Sequence, residues 1–284
     1  LSYLEIRDLV YIYDDGTRAL NGINLSIDER EFIGLLASNG GGKTTLLKAV
    51  VGLFAARPGS ILIDNKPLSK LKRIDLARAI GLVFQNPNDQ LFATTVEEDV
   101  SFGPRNLGLT DAEVEKRVET ALEMVDMLAH RRKPIHHLSF GQQKRVCIAG
   151  VLAMRPRILL LDEPTAGLDP KSEANLLHIL GRLNKEAGVT IVMATHMVDL
   201  IPLFVDRIFV LKEGRITIEG TPETVFSSTQ VMEEVDLRLP YITHLIEELK
   251  HKDQLPFDKL PLTLKDARSK LVSLMPDNLL SGGE

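Results

Sequence analysis

Residues 37–45 read Ala-Ser-Asn-Gly-Gly-Gly-Lys-Thr-Thr, after the apolar run Phe32-Ile33-Gly34-Leu35-Leu36. A glycine-rich turn between a strand and a helix frees backbone N–H groups to wrap phosphate oxygens. Its lysine reaches the β- and γ-phosphates, and the hydroxyl beside it suits Mg²⁺. The spacing assigns Ala37, Ser38, Asn39, Gly40, Gly41, Gly42, Lys43, Thr44 and Thr45 to a nucleotide's phosphates, and Thr44 also to the metal. Ala37 occupies a position where glycine is usual. Alanine fits if its φ is negative; a left-handed φ there costs about 1 kcal/mol. A plain glycine-rich turn before a helix would not need the full run Gly40 to Thr44.

Two carboxylates, Asp162 and Glu163, end the apolar run Leu159-Leu160-Leu161. Open α/β sheets bind ligands at the C-terminal ends of their strands. Asp162 suits Mg²⁺ through water, and Glu163 is placed to polarise or deprotonate an attacking water. Gln85 follows Gly81-Leu82-Val83-Phe84, and His196 follows Val192-Met193-Ala194-Thr195. Each alone is an ordinary end-of-strand polar group. Together the four put polar side chains on one sheet edge around the phosphate loop.

Ser139 and Gln142 have the Ser-x-x-Gln spacing of a capping box, with Phe140 and Gly141 between them and an apolar helix after them. Such a helix start is a second anion site, a hundred residues from the first.

These residues need elements to carry them. Leu4–Tyr13 and Ala19–Ile27 are extended, the first with imperfect alternation. Short apolar strands at 32–37, 80–85, 157–162 and 189–196 alternate with helices, which argues for a largely parallel α/β sheet. Thr110 and Glu113 form another capping box, with Val114, Val118, Ala121, Leu122 and Val125 on one helix face. Asp169-Pro170 is an N-cap followed by an N1 proline, and Leu176, Leu177, Leu180 and Leu183 mark the buried side of that helix. Arg207–Gly214 and Arg215–Gly220 form a hairpin around Glu213-Gly214. A boundary falls near residues 220–228. Beyond it lie amphipathic helices at about 241–251 and 263–275, and Ser281-Gly-Gly-Glu carries no element signal and is expected to be disordered.

The 284 residues, 44% hydrophobic and 26% charged, have the composition of an ordinary globular protein. A net charge of −5 without a Lys/Arg-rich block argues against nucleic acid as a partner. No apolar run spans a bilayer, and no signal-peptide pattern is visible, so work at a membrane would need spans from another chain. Cys147 is the only cysteine, which excludes an intrachain disulfide; its neighbours Val146, Ile148 and Ala149 make it a core residue.

The order of these motifs resembles the ATPase subunits of ABC transporters over residues 3–228. The resemblance implies a P-loop NTPase core with an antiparallel β subdomain and an inserted helical subdomain at about 86–155. It makes residues 1–228 the ATPase domain and 229–284 a small C-terminal domain suited to pairing. It implies ATP with Mg²⁺. Gln85 becomes the residue linking metal and membrane partner, and Leu138–Gln142 the signature, with Ser139, Gly141 and Gln142 on nucleotide. Asp169 joins the loop after the carboxylates, His196 contacts the γ-phosphate, and Tyr13, or less readily Tyr11, stacks on adenine. Phe140 departs from the usual glycine of the signature. As the first helical residue it needs no positive φ, although its bulk lies where a facing phosphate loop would approach.

A narrower resemblance, carried by residues 84–109, 13–25 and 237–268, is to energy-coupling-factor importer ATPases, especially the CbiO-like subunits of cobalt or nickel uptake. It implies a second ATPase copy or paralogue facing head to tail, a transmembrane coupling subunit, a separate membrane subunit that selects the cargo, and a peripheral place on the cytoplasmic face. A vitamin-type importer, a soluble non-transport ABC ATPase and a degenerate nucleotide-binding scaffold are the alternatives. His130, His136 and His137 tempt one toward a metal-loading site. Adjacent histidines are expected to diverge, however, and no carboxylate or cysteine completes a set.

Overall fold

The computed structural model describes residues 2–227 and 229–275. The Ser281–Glu284 end and the boundary residue Ser228 lie outside them. Among the described residues the strands are β1 (Leu4–Ile12), β2 (Arg18–Ile27), β3 (Phe32–Leu36), β4 (Ile61–Ile63), β5 (Lys66–Pro67), β6 (Ile80–Val83), β7 (Ile158–Asp162), β8 (Thr190–Thr195), β9 (Arg207–Lys212) and β10 (Arg215–Gly220). The helices are α1 (Lys43–Val50), α2 (Arg73–Ala79), α3 (Val96–Asn106), α4 (Asp111–Met124), α5 (Phe140–Leu152), α6 (Pro170–Lys185), α7 (Pro222–Val225), α8 (Thr229–Glu234), α9 (Tyr241–Lys252) and α10 (Leu264–Leu274).

The main sheet has the order β10-β9-β3-β8-β7-β6, parallel from β9 to β6 with β10 antiparallel at one edge. It is buried on both faces, and side-chain alternation divides it between two cores. Phe32, Leu36, Leu159, Leu161, Ile191 and Met193 face the helical core with α4, α5 and α6. Ile33, Leu35, Ile158, Leu160, Val192 and Ala194 face the core shared with α1 and the second sheet. That second sheet is antiparallel, in the order β2-β1-β4-β5. The imperfect alternation of β1 has a local cause. Its register with β2 shifts between Ile6 and Leu9, where Asp8 takes a left-handed φ of 44° and donates its N–H to Asn24 Oδ1. A bulge there keeps Leu4, Ile6 and Leu9 all inside.

Helix starts follow their caps. Thr95 with Glu98, Thr110 with Glu113 and Ser139 with Gln142 each form a complete capping box, and Asp169 accepts from the N–H groups of Lys171 and Ser172. Helix α3 carries Pro104 in its last turn, where the ring removes the N–H that would bond the Val100 carbonyl. Helices α9 and α10 share a small cluster around Ile246, Phe257 and Ala267. Asp199 ties this C-terminal stretch to the segment after β8: it pairs with Arg238 and accepts from the Tyr241 N–H at 2.9 Å.

Cys147 is 1% exposed in the helical core, and burial pushes its thiol up to about 12. At pH 8 the thiolate population then falls roughly 10³-fold below that of a free cysteine. Iodoacetamide should leave the folded chain unmodified and label it after denaturation. Prompt labelling of the folded chain would place Cys147 outside the core.

Candidate functional site

The main sheet delivers β3, β7 and β8 to a common level. Leu36 pairs with Thr195, and Asp162 with Ala194, so the phosphate loop, the carboxylates and His196 leave adjacent strands at one edge. There a cleft of about 670 Å³ is lined by Tyr13, Asn39–Thr45, Gln85, Glu163 and His196, and also by Thr17, Arg18, Ala19, Glu213 and Gly214.

The loop explains its own composition. Ala37 lies outside the left-handed region and is fully buried, so alanine is accommodated. Its methyl group fixes Gly41, where an added Cβ would come within 2.8 Å of Ala37 Cβ. Gly42, at φ 102°, precedes α1 without any side-chain cap, which leaves the first N–H groups of the helix for an anion.

Lys43 is 6% exposed and curls back over the loop. Its ammonium donates to Ala37 O at 2.8 Å and Ser38 O at 3.2 Å, and lies 3.3 Å from Glu163 Oε1. Glu163 has a left-handed φ of 46°. Its N–H donates to Ala194 O, and its carboxylate accepts from Thr195 Oγ1 at 3.2 Å and meets His196 Nδ1 at 3.0 Å. Its carbonyl accepts from Lys144 Nζ and the Ala166 N–H, each at 3.1 Å. Lys144 is 3% exposed, and burial pulls its ammonium down to about 8.

Asp162 tests the fit of a metal. Its Oδ2 accepts from Thr44 Oγ1 at 2.7 Å, while its Oδ1 is buried with no partner. Burial raises its pKa, against the lowering effect of the Thr44 hydrogen bond. An orphaned carboxylate oxygen beside a threonine hydroxyl, at the end of a phosphate loop, is a donor set that a hard cation satisfies. Gln85 is exposed at the cleft. Its segment is held by Gln90, which accepts from the Phe84 N–H and donates to Cys147 O on α5.

Tyr13 lines the cleft, and its hydroxyl shares a 2.8 Å hydrogen bond with Thr45 Oγ1. Tyr11 instead stacks on Phe54 with ring centroids 4.6 Å apart, outside the cleft lining. Ser139, Gly141, Gln142 and Asp169 are not brought to the cleft. The side chains of Ser139 and Gln142 close their capping box, and that of Asp169 caps α6. Phe140 is 40% exposed, and its ring lies over Gly167, where an added Cβ would be 3.2 Å from Cε1. His136 and His137 do not diverge: both sit in one tight turn, and their rings pack edge to face at 4.2 Å. His130 meets Gln142 Nε2 at 3.1 Å. The reading of the motifs missed Thr195, Lys144, Gln90, Arg18 and Glu213. Thr195 had a signal in its place beside His196; the fold brings the others in from positions that no local pattern announces.

Comparison with known proteins supplies a family. Residues 20–166 match the ABC transporter family. The chain is 47% identical over 272 residues to an energy-coupling factor transporter ATP-binding protein of Clostridium perfringens, covering 95% of each. Among solved structures, CbiO1 of Clostridium perfringens, described as part of the ABC transporter complex CbiONQ, superposes with a TM-score of 0.75 and 46% identity. That match covers 87% of this chain and 99% of the other. An ATP-binding cassette solved as a dimer with ADP and phosphate gives a TM-score of 0.69 at 31% identity, over 77% of this chain and 98% of the other. A cleft that joins a phosphate loop, paired carboxylates and a histidine, on a chain this similar over nearly its whole length, leads to one conclusion: the chain belongs to the ABC transporter family of ATPases, alongside the energy-coupling-factor ATP-binding proteins that it resembles.

Proposed function

We propose that this chain is the ATP-hydrolysing subunit of an energy-coupling-factor ABC importer, working as one of a pair on the cytoplasmic face of a membrane. The observation that carries this reading is the cluster in which buried Lys43 and Thr195 and exposed His196 all lie within 3.3 Å of the buried Glu163 carboxylate. ATP laid along the loop presents its γ-phosphate to Lys43, which exchanges Glu163 for phosphate oxygens. Glu163 is then free to take a proton from water. The water oxygen bonds to phosphorus, the bond to the bridging oxygen breaks, and ADP leaves with that electron pair. His196 steadies Glu163 through Nδ1 and serves the γ-phosphate end. Bound Mg²⁺ would neutralise charge on the β- and γ-oxygens, held by Asp162, Thr44 and Gln85.

The signature helix start serves a different nucleotide. Ser139, Gly141 and Gln142 lie outside this cleft, and their partner is the ATP on a facing second copy, so each chain completes half of two sites. Among the described residues no helix is long and apolar enough to cross a membrane. Another chain supplies the spans, and a second cleft supports its docking. Its lining includes Phe92 and Phe102, exposed at 64% and 51%, with Gln90 behind them on the segment that carries Gln85. The cargo is read as cobalt or nickel from the resemblance of residues 84–109, 13–25 and 237–268 to CbiO-like subunits.

Glu163→Gln should cut turnover by at least about 10²-fold while retaining ATP binding. Turnover at the wild-type rate would remove Glu163 from the chemistry. Lys43→Ala and Ser139→Arg should each be inactive alone, and mixing them should restore part of the activity, because one site of a mixed pair then has both halves intact. No recovery in pairs shown to have formed would contradict the shared site. Deletion of the gene should abolish uptake of labelled cobalt or nickel and spare vitamin uptake; the reverse pattern would make the importer vitamin-type.

A further inference from the structure

Helix α5 carries the signature at its start, but it also holds the segment that follows β7. Lys144 lies in its second turn, and among the described residues the Glu163 carbonyl is the one hydrogen-bond acceptor of its ammonium. That carbonyl belongs to a residue in the left-handed conformation, which a glutamate does not adopt by preference. Its N–H, its carboxylate and its carbonyl are each held. Its N–H donates to Ala194 O, its carboxylate is fixed by Lys43, Thr195 and His196, and its carbonyl is held by Lys144 and by the N–H of Ala166. The same helix touches the segment a second time. The Phe140 ring lies over Gly167, and Lys144 Nζ sits 5.3 Å from the centre of that ring. A buried cation and an aromatic ring on one helix therefore grip residues 163–167 between the catalytic carboxylate and the cap of α6.

We propose that Lys144 is a positioning residue that couples the two sites of the ATPase pair. It holds the Glu163 peptide so that the carboxylate faces its own cleft, and it transmits to Glu163 whether the start of α5 is engaged by the nucleotide of the facing copy. The inference rests on the shared-site reading above. The route is short: from Ser139 and Gly141, through one turn of a rigid helix, to a side chain bonded directly to the backbone of Glu163. Docking of a phosphate on the helix start of one chain thus bears on the water-activating group of that same chain, which serves the other nucleotide.

The test uses the full chain with ATP and Mg²⁺ and compares wild type, Lys144→Met and Lys144→Arg. Methionine fills a similar volume without a donor, and arginine restores one. Lys144→Met should lower kcat by about tenfold, with the ATP dissociation constant unchanged within about twofold. Its Hill coefficient for hydrolysis should fall to about one, from a wild-type value above one. Lys144→Arg should recover turnover and cooperativity together. An unchanged kcat, or a loss of ATP affinity and melting temperature in parallel with kcat, would overturn the positioning role. A wild-type Hill coefficient of one, or one that survives in Lys144→Met, would overturn the coupling. Glu163→Gln run alongside separates the two levels: if wild type turns over and Glu163→Gln does not, the reading of the site stands whatever Lys144→Met does.

Discussion

The buried ion pair between Lys43 and Glu163 sets the terms for the rest of the site. Both side chains are 7% exposed, and burying two charges is unfavourable unless each is fully partnered. Lys43 has three donors and three partners: two loop carbonyls and the Glu163 carboxylate. Glu163 is held by the lysine, a threonine hydroxyl and an imidazole. This arrangement exists only if β3, β7 and β8 end side by side, which their parallel register provides. The lysine proposed to neutralise a phosphate is paired here with the acid proposed to activate water, so on that proposal nucleotide binding separates the two.

Next to this pair the design is deliberately incomplete. Asp162 Oδ1 has no partner, the start of α1 has no side-chain cap, and Gln85 is exposed at the cleft. Each is a group that the proposed metal–nucleotide complex would satisfy. The signature helix, in contrast, is fully capped by its own Ser139 and Gln142, and it lies away from the cleft. A chain built this way satisfies its own fold at α5, and on the proposed pairing its phosphate chemistry is finished by a second copy.

Much of the site was legible because its chemistry is local in sequence. The phosphate loop, Asp162-Glu163, the Ser139 capping box and the Asp169-Pro170 start each fit within a few consecutive residues, where spacing fixes geometry. Ala37 was legible as a condition on φ, and the structure meets that condition. What escaped depends on pairing across long separations. Lys144 reaches Glu163 across 19 residues and Gln90 reaches Cys147 across 57, and no periodicity encodes either contact. Strands β4 and β5, of three and two residues, are too short to show an alternation. Helix α3 was hidden by Pro104 and by a capping box that a reading centred on apolar runs passed over. The turn holding His136 and His137 shows the opposite failure: adjacency suggested divergence, and the tight turn brought the rings together.

The central claim is that nucleotide and Glu163 compete for Lys43, and ADP affinity tests it without interference from turnover. Calorimetric titration of the wild-type chain and of Glu163→Gln with ADP and Mg²⁺ should show tighter binding to the variant, by severalfold. The glutamine no longer holds the lysine as a carboxylate does, so less is lost when a phosphate takes it. Equal or weaker binding to a folded Glu163→Gln chain would mean that the ion pair does not oppose the nucleotide, and the exchange of partners at Lys43 would have to be abandoned.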